Sequence, residues 1–214
     1  MIIGSEVEVC NLALDLIKVP AITSIESPTT AVERKCALWY DTSRREILRK
    51  HPWNFAKKRA SISLCSTDPA FGYDDKYALP NDFIRLRFIG SDNEGLVGQD
   101  YDIEEDKYLL IDNGGAATLN IGYIFDEESV VRFDPLFLKA FALQLAVNLS
   151  YGMAGKTTLR TDARNMLAEA LAEARSINGQ DKPPIRITRS NVIGARQTYS
   201  SGTAYGSNPG RIPD

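Results

Sequence analysis

An almost uninterrupted apolar run from residue 136 to residue 149 constrains the fold of this chain more than any other feature. Asp134 and Pro135 precede it, and these residue types favour the N-cap and the first position of a helix. A helix needs about 20 apolar residues to span a bilayer. The run is shorter and is interrupted by polar residues. We therefore predict a helix that is buried within the fold.

Two capping boxes predict helices in the first quarter of the chain. Ser5 with Glu8 opens a helix to about residue 18, and Thr30 with Glu33 opens another to about residue 50. The first helix has only a narrow polar stripe, so we expect it to be buried on most sides, within the fold or in a subunit interface. The second is amphipathic, and its arginines, including Arg44, fall outside the apolar stripe.

A fourth helix is predicted between Gly155 and Gly179. Apolar residues recur along it at steps of three and four, which is typical of one helix face packed against a neighbour. The predicted face consists of Leu159, Ala163, Met166, Ala170, Ala174 and Ile177. Its alanines favour close approach of another helix.

Alternation of apolar and polar residues replaces the helical period from residue 57 onwards. Tyr101–Glu104 and Lys107–Ile111 predict a hairpin over Glu105 and Asp106, and Asn113 begins a strong turn signal. The middle of the chain is therefore predicted to be an antiparallel β module.

Together these elements predict an α+β chain. A helical bundle from the N- and C-terminal helices carries the inserted antiparallel β module and is followed by an extended C-terminal tail. The predicted boundaries are residues 1–56 plus 130–179 for the bundle, 57–129 for the β module and 180–214 for the tail.

The predicted tail is rich in Gly, Pro, Ser and Thr, and it carries five basic and two acidic residues. Such a segment cannot bury enough apolar surface to become ordered alone, and we expect it to order on a partner. The residues predicted to bind that partner are Ile185, Arg186, Ile187, Arg189, Val192, Ile193, Arg196, Tyr199 and Tyr205.

The net charge of −3 and the pI near 5.4 give no general attraction to nucleic acid. A DNA-binding protein usually shows a basic stripe, and none is apparent in residues 1–179. Binding to the DNA backbone is therefore not expected to be the main role.

No catalytic residue, metal site or cofactor is predicted. His51 is the one histidine, without a hydrolase motif around it. Cys10, Cys36 and Cys65 are widely spaced without a CxxC motif, and no signal peptide is apparent, so we expect buried thiols in a reducing cytoplasm. Residues 155–158 resemble the end of a phosphate-binding loop but lack its first glycine, and they are interpreted as a helix–helix connection.

Three acidic clusters coincide with turn signals, where charged side chains are expected to be solvated. A metal or glycosidase site is the alternative interpretation. The clusters are Asp74-Asp75, Glu104-Glu105-Asp106 and Asp126-Glu127-Glu128.

The most distinctive string is His51-Pro52-Trp53-Asn54-Phe55-Ala56, which we interpret as a hydrophobic anchor where a helix gives way to the sheet. A second string runs from Tyr77 through Leu79, Pro80 and Asp82 to Phe83. Other elements of the same pattern are Asn11, Ala13 and Leu14 in the first helix, Ala31, Tyr40, Arg45 and Leu48 in the second, Arg85, Tyr123-Ile124, Phe133–Phe137, and Ala140, Leu145 and Ala146.

In order and spacing these strings resemble the tail tubular protein A family of short-tailed bacteriophages, the head-to-tail connector or gatekeeper adaptor. The likeness covers about residues 5–175. One departure is Lys18-Val19-Pro20, where the family often has a glycine after the first helix. In this family His51, Pro52, Trp53, Asn54, Phe55, Tyr77, Leu79, Pro80 and Asp82 would be structural motif residues.

The resemblance implies an α+β subunit of a dodecameric ring in the virion neck, assembled in the cytoplasm of the bacterial host. The ring would contact the portal protein above and the tail nozzle protein below. Viral DNA would pass through the channel without sequence-specific binding. No enzymatic activity, cofactor or membrane contact is implied. We expect the tail, residues 180–214, to become ordered along the portal.

Three other functions remain open from the sequence. One is a head-completion or stopper protein of a long-tailed phage or a prophage. Another is a tail-associated cell-wall hydrolase, although the usual catalytic partners are not apparent. The third is a DNA-binding regulator, which the acidic composition disfavours.

Overall fold

The computed structural model describes residues 4–90, 100–153 and 157–180, and within them the chain has an α+β fold. The helices are α1 (Glu6–Leu16), α2 (Ala31–Lys50), α3 (Pro135–Met153) and α4 (Thr157–Gln180). The strands are β1 (Lys57–Ser63), β2 (Asp75–Ala78), β3 (Phe83–Ile89), β4 (Tyr101–Glu104), β5 (Tyr108–Ile111) and β6 (Thr118–Phe125). Short 3₁₀ turns cover Asn54–Ala56 and Val130–Arg132.

Local capping interactions set the helix starts, as predicted. The capping boxes at Ser5 and Thr30 are both formed. The Asp134 carboxylate accepts a hydrogen bond from the Leu136 backbone N–H at 2.8 Å, at the start of α3. Helix α1 ends two residues before the predicted position, because Lys18 adopts a left-handed backbone conformation with φ of 55°.

Helix α3 lies at the centre of the fold, and its burial confirms the prediction from the apolar run. Phe137, Phe141 and Leu145 are fully buried. Helices α1 and α2 both pack against α3. The core is therefore built around one helix that is apolar on nearly all sides.

Helix α4 runs back along α3, since Glu173 pairs with Lys139 and Arg164 donates a hydrogen bond to the Tyr151 hydroxyl. The predicted face is wrong at two positions, because Met166 and Ile177 are exposed. The buried residues are Ala163, Leu167, Ala170, Leu171 and Ala174. The alanines fit a stripe through Met166 and Ile177 as well as one through Leu167 and Leu171. Packing therefore decides which of these larger side chains face the core.

The middle of the chain forms two antiparallel sheets, with strand orders β1-β6-β3 and β2-β5-β4. The predicted hairpin is confirmed as β4–β5, and Glu105 and Asp106 have left-handed φ values of 56° and 54°. Tyr77 and Leu109 of the second sheet belong to the same core cluster as Ile121 of the first. The split into two sheets was not predicted.

The prediction of solvated acidic turns is wrong at Asp75, which is buried. Its carboxylate accepts hydrogen bonds from the backbone N–H groups of Asn113 and Gly115, at 2.8 and 3.0 Å. Gly114 and Gly115 both have positive φ, which glycine adopts without steric cost. These two hydrogen bonds compensate for the burial of the Asp75 carboxylate, and they stabilise the turn.

The segment between α1 and α2 is held by two polar side chains. The Asn11 amide donates to the Ile22 carbonyl and accepts from the Ile22 N–H, at 3.1 and 2.8 Å. The Glu33 carboxylate accepts hydrogen bonds from the backbone N–H groups of Thr29 and Thr30. These hydrogen bonds lower the pKa of Glu33 from its ordinary value of 4.5 to about 2.

We expect the free energy of unfolding to fall as the pH is lowered from about 4.5 towards 2. The folded state holds Glu33 ionised more strongly than the unfolded state does. Stabilisation is therefore complete above the unfolded pKa and lost as the pH falls through the folded pKa. Urea denaturation at a series of pH values measures this, and Glu33→Gln should remove this part of the dependence. An identical pH profile in the variant would contradict the assignment.

The chain divides into a compact unit, Met1–Gly179, and a second unit, Gln180–Asp214. The residues predicted to bind the portal, from Ile185 to Tyr205, lie outside the described residues. The predicted boundary between bundle and β module stays a prediction.

Candidate interaction surfaces

The His51–Ala56 string lies where α2 gives way to β1. Trp53 is fully buried, and its indole Nε1 donates a hydrogen bond to the Ile47 carbonyl at 2.9 Å. The last carbonyls of a helix have no partner within it, and the indole satisfies one of them where Pro52 cannot continue the helix. His51 is buried against the Trp53 ring, with centroids 4.7 Å apart.

Aromatic rings connect this exit to the central helix. The Phe137 ring of α3 lies 5.2 Å from Trp53, 5.0 Å from Phe55 and 4.8 Å from Phe133, measured between centroids. All three pairs are edge-to-face, a favoured geometry for aromatic side chains. Asn54 is exposed and Pro52 is half-buried. The string therefore holds α2, β1 and α3 together.

The second string also has a structural position. Tyr77 is fully buried and donates its hydroxyl to the Ala116 carbonyl at 2.7 Å, while Leu79 is buried and Pro80 half-buried. Asp82 accepts a hydrogen bond from the Tyr123 hydroxyl at 2.9 Å. Partial burial and this acceptor raise the pKa of Tyr123 to about 12.

Arg44 corrects two expectations from the sequence. Its side chain is only 2% exposed, although the helical pattern places it outside the apolar stripe. The guanidinium donates to the Asp126 carboxylate and to the Glu127 carbonyl, the latter at 2.6 Å. Asp126 and Glu127 are nearly buried too, contrary to the prediction of solvated turns. Burial of these charges is tolerated because each meets an opposite charge.

An apolar groove of about 510 Å³ opens on the helical part of the fold. It lies between α1, α3 and the Val130–Arg132 turn, with Met166 of α4 at its side. Exposed apolar side chains border it: Leu12, Met166 and Val131, the last of which is 73% exposed. The sequence indicated surplus apolar surface on α1, but it did not indicate a groove.

The sheet β1-β6-β3 carries one strongly basic face, which we call the basic face. Strand register places Lys57 and Arg85 opposite Ile124, and Arg59 and Phe88 opposite Gly122. These four side chains therefore share one face, and Arg87 lies beside them. The three strands contain no Asp or Glu. The sequence analysis did not anticipate that these basic side chains lie together, because β6 pairs with two segments that are distant in sequence.

Gly122 leaves room for the Phe88 ring on the basic face. A Cβ atom at this position would lie 2.0 Å from the Phe88 ring. Any residue other than glycine would therefore displace the ring. The guanidinium carbons of Arg59 and Arg87 lie 5.9 and 5.8 Å from the Phe88 centroid. Burial and the neighbouring Arg59 lower the pKa of Arg87.

An acidic tip lies at one end of the sheet β2-β5-β4. Ile111 pairs with both Asp75 and Tyr101, so Asp74, Asp100 and Asp112 gather just beyond the paired strands. Tyr73 donates its hydroxyl to Asp100 at 3.2 Å, and the Asp74 N–H donates to Asp112 at 2.8 Å. We define the acidic tip as Phe71, Tyr73, Asp74, Asp100, Asp102 and Asp112. Phe71 is 89% exposed.

In the described part of the chain, no cluster of His, Cys, Asp or Glu is arranged to hold a metal ion. None of the described helices is both long and apolar enough to cross a bilayer. Comparison with protein-family models and with curated proteins finds no match for this chain.

Proposed function

We propose that this chain is a structural virion protein, a subunit of the head-to-tail adaptor ring that connects the portal to the tail nozzle of a short-tailed phage. Its ring would form part of the DNA channel in the virion neck, after assembly in the host cytoplasm. Two features support this proposal: the ordered motif likeness over about residues 5–175 and, above all, the apolar groove.

The groove carries the proposal because it is apolar surface that one subunit leaves exposed. Burial of a Leu, Val or Met side chain contributes about 1.5–3 kcal/mol, so the residues bordering the groove favour assembly. A ring forms from head-to-tail contacts between different surfaces of identical subunits. We therefore place the apolar groove within the contacts of the assembled ring.

The interior of the subunit suits a joint that transmits force between neighbouring proteins. Arg44 links α2 to the residues after β6, and the aromatic cluster around Phe137 links α2 and β1 to α3. Both connections are buried, so force on the β module reaches the helices through packed contacts rather than through a flexible hinge.

We expect Val131→Asp to abolish ring formation, because a carboxylate would have to be buried in the contact. Leu38→Asp is the matched control, since Leu38 is similarly exposed at 69% but lies on α2 outside the groove. Negative-stain microscopy and mass photometry, with and without the portal protein from the same genome, measure assembly.

Wild type and Leu38→Asp should form rings and bind the portal, whereas Val131→Asp should remain a folded monomer. Normal rings from Val131→Asp would remove the groove from the interface. If the wild type forms neither a ring nor a portal complex, the adaptor function is wrong. The symmetry of the particle also separates an adaptor from a stopper protein.

A further inference from the structure

The apolar groove has a negatively charged rim. Met166 borders the groove from α4, and Asp162, Glu169 and Glu173 lie on the same stripe of that helix, at spacings of three and four residues. Asp15 lines the groove from α1. All four acidic residues are exposed. A partner that fills the groove therefore meets apolar side chains and carboxylates together.

Little positive charge offsets this rim. Lys139, the cation among the residues that line the groove, is already paired with Glu173 at 3.1 Å. Arg132, in the adjacent turn, is paired as well. Within the described residues, Asp162 and Glu169 take part in no ion pair. The rim therefore favours an occupant that carries positive charge.

The first part of the predicted tail has the chemistry that matches this groove. Residues 185–193, which lie outside the described residues, read Ile-Arg-Ile-Thr-Arg-Ser-Asn-Val-Ile. The segment combines four β-branched apolar side chains with two arginines and contains no acidic residue. Its apolar side chains suit the floor of the groove, and a guanidinium pairs well with a carboxylate.

We propose that residues 185–193 of one copy bind in the apolar groove of a second copy, with Ile185 and Ile187 on the apolar floor and the two arginines facing the carboxylates of the rim. This contact rests on the proposed ring. It joins two different parts of the same chain, as a closed head-to-tail assembly requires. It assigns this part of the tail to a neighbouring copy and leaves residues 194–214 for the portal.

The tail is long enough for this contact. Residues 185–193 follow Gln180, the end of α4, by five to thirteen positions. An extended chain of that length spans up to about 17–43 Å. A compact body of about 180 residues is roughly 40 Å across. The segment can therefore reach an adjacent subunit.

The exposure of the groove favours a second copy as the source of the occupant. A single chain leaves Leu12 and Met166 40% and 44% exposed, and Val131 more so. A closed ring of identical subunits supplies one tail for each groove, so every groove is filled by the same contact that joins two subunits. A segment of another protein would have to match this number.

Photo-crosslinking of the full chain tests the contact. Ile187 is replaced by benzoylphenylalanine, and copies grown with normal and with heavy nitrogen are mixed before assembly. After irradiation, the crosslinked peptides are identified by mass spectrometry. We expect crosslinks from position 187 to residues 12–16, 130–143 or 166 that join light to heavy peptides. The same photoreactive residue at Leu38, which is exposed on α2 outside the groove, should not reach these segments.

Ile187→Asp provides a second measurement. We expect it to weaken self-association about a hundredfold, because an apolar contact is lost and a carboxylate is placed against the acidic rim. Thr188→Asp is the matched control, since it makes the same charge change at the next position, and it should weaken self-association much less. Sedimentation velocity measures association, and circular dichroism confirms folding. Equal weakening by the two variants would contradict the insertion of Ile187.

The rim is tested separately by charge reversal. We expect Glu169→Arg to weaken self-association about fivefold, and added salt to weaken the wild-type contact. Glu104→Arg, on the exposed β4–β5 hairpin, makes the same charge change away from the groove and should have no effect. If Glu169→Arg matches this control, the rim does not bind the tail and the proposal is overturned.

The outcomes separate this contact from the adaptor function. Crosslinks from position 187 only to the portal, or only within one copy, overturn the contact and leave the function standing. Normal rings from Ile187→Asp do the same. Failure of the wild type to self-associate, with or without the portal, overturns both.

Discussion

Arg44→Met is expected to lower the free energy of unfolding by about 3 kcal/mol, near the lower end of the range for breaking a buried ion pair. Methionine keeps much of the side-chain volume but removes the cation. The nearly buried Asp126 carboxylate and the Glu127 carbonyl then lose their shared donor. The loss is not larger because Arg45 still donates to Asp126 at 2.7 Å.

Arg45→Met is the matched control for this experiment. Arg45 bonds to the same carboxylate, but its side chain is 61% exposed, whereas that of Arg44 is 2% exposed. The Arg45 guanidinium is largely in water and Arg44 still pairs with Asp126 in this variant, so the loss should be close to the about 0–1 kcal/mol of exposed ion pairs. Urea denaturation followed by tryptophan fluorescence measures both. Equal destabilisation by the two variants would show that burial of Arg44 is not the cause.

Trp53→Ala is expected to lower the free energy of unfolding by about 3–5 kcal/mol, the range for removing a large buried aromatic side chain. The change would leave a cavity beside Phe137 and His51. It would also remove the indole donor from the Ile47 carbonyl. Because α2, β1 and α3 meet at this ring, we expect the whole compact unit to be destabilised.

Two variants resolve the causes of this loss. Trp53→Phe keeps an aromatic ring but removes the donor, and an unsatisfied buried carbonyl costs about 1–3 kcal/mol. Trp39→Ala removes the other tryptophan of the chain, which is only partly buried, and should cost less than Trp53→Ala. Thermal and urea denaturation followed by circular dichroism measure all three. A loss at Trp53 no greater than that at Trp39 would contradict the anchoring role.

The elements that the sequence predicted well depend on residues close together along the chain. The capping boxes at Ser5 and Thr30 connect residues three positions apart, and the β4–β5 hairpin turns over two residues. The burial of α3 follows from its own composition, since a helix without a polar face has no side suited to water. The Trp53 anchor was also visible, because Pro52 ends the helix directly beside two aromatics.

The apolar groove and the basic face could not be predicted from the sequence, because each combines residues from segments that are distant along the chain. The basic face combines Lys57 and Arg59 of β1 with Arg85 and Arg87 of β3, which lie in segments distant from each other in the sequence. Their shared face exists only because β6 pairs with both strands. Overall charge was no guide, because opposite charges collect on different faces of the same chain.

The sequence by itself determined the α+β class, the starts of the helices, the central hairpin and the burial of α3, since these follow from short-range bonds and local periodicity. Tertiary structure alone decided that Arg44 is buried, that Leu167 rather than Met166 faces the core, and that the apolar groove and basic face exist. Each of these depends on which distant segments meet. Arg44 has its carboxylate partner Asp126 more than 80 positions away, and local pattern carries no information about such a pairing.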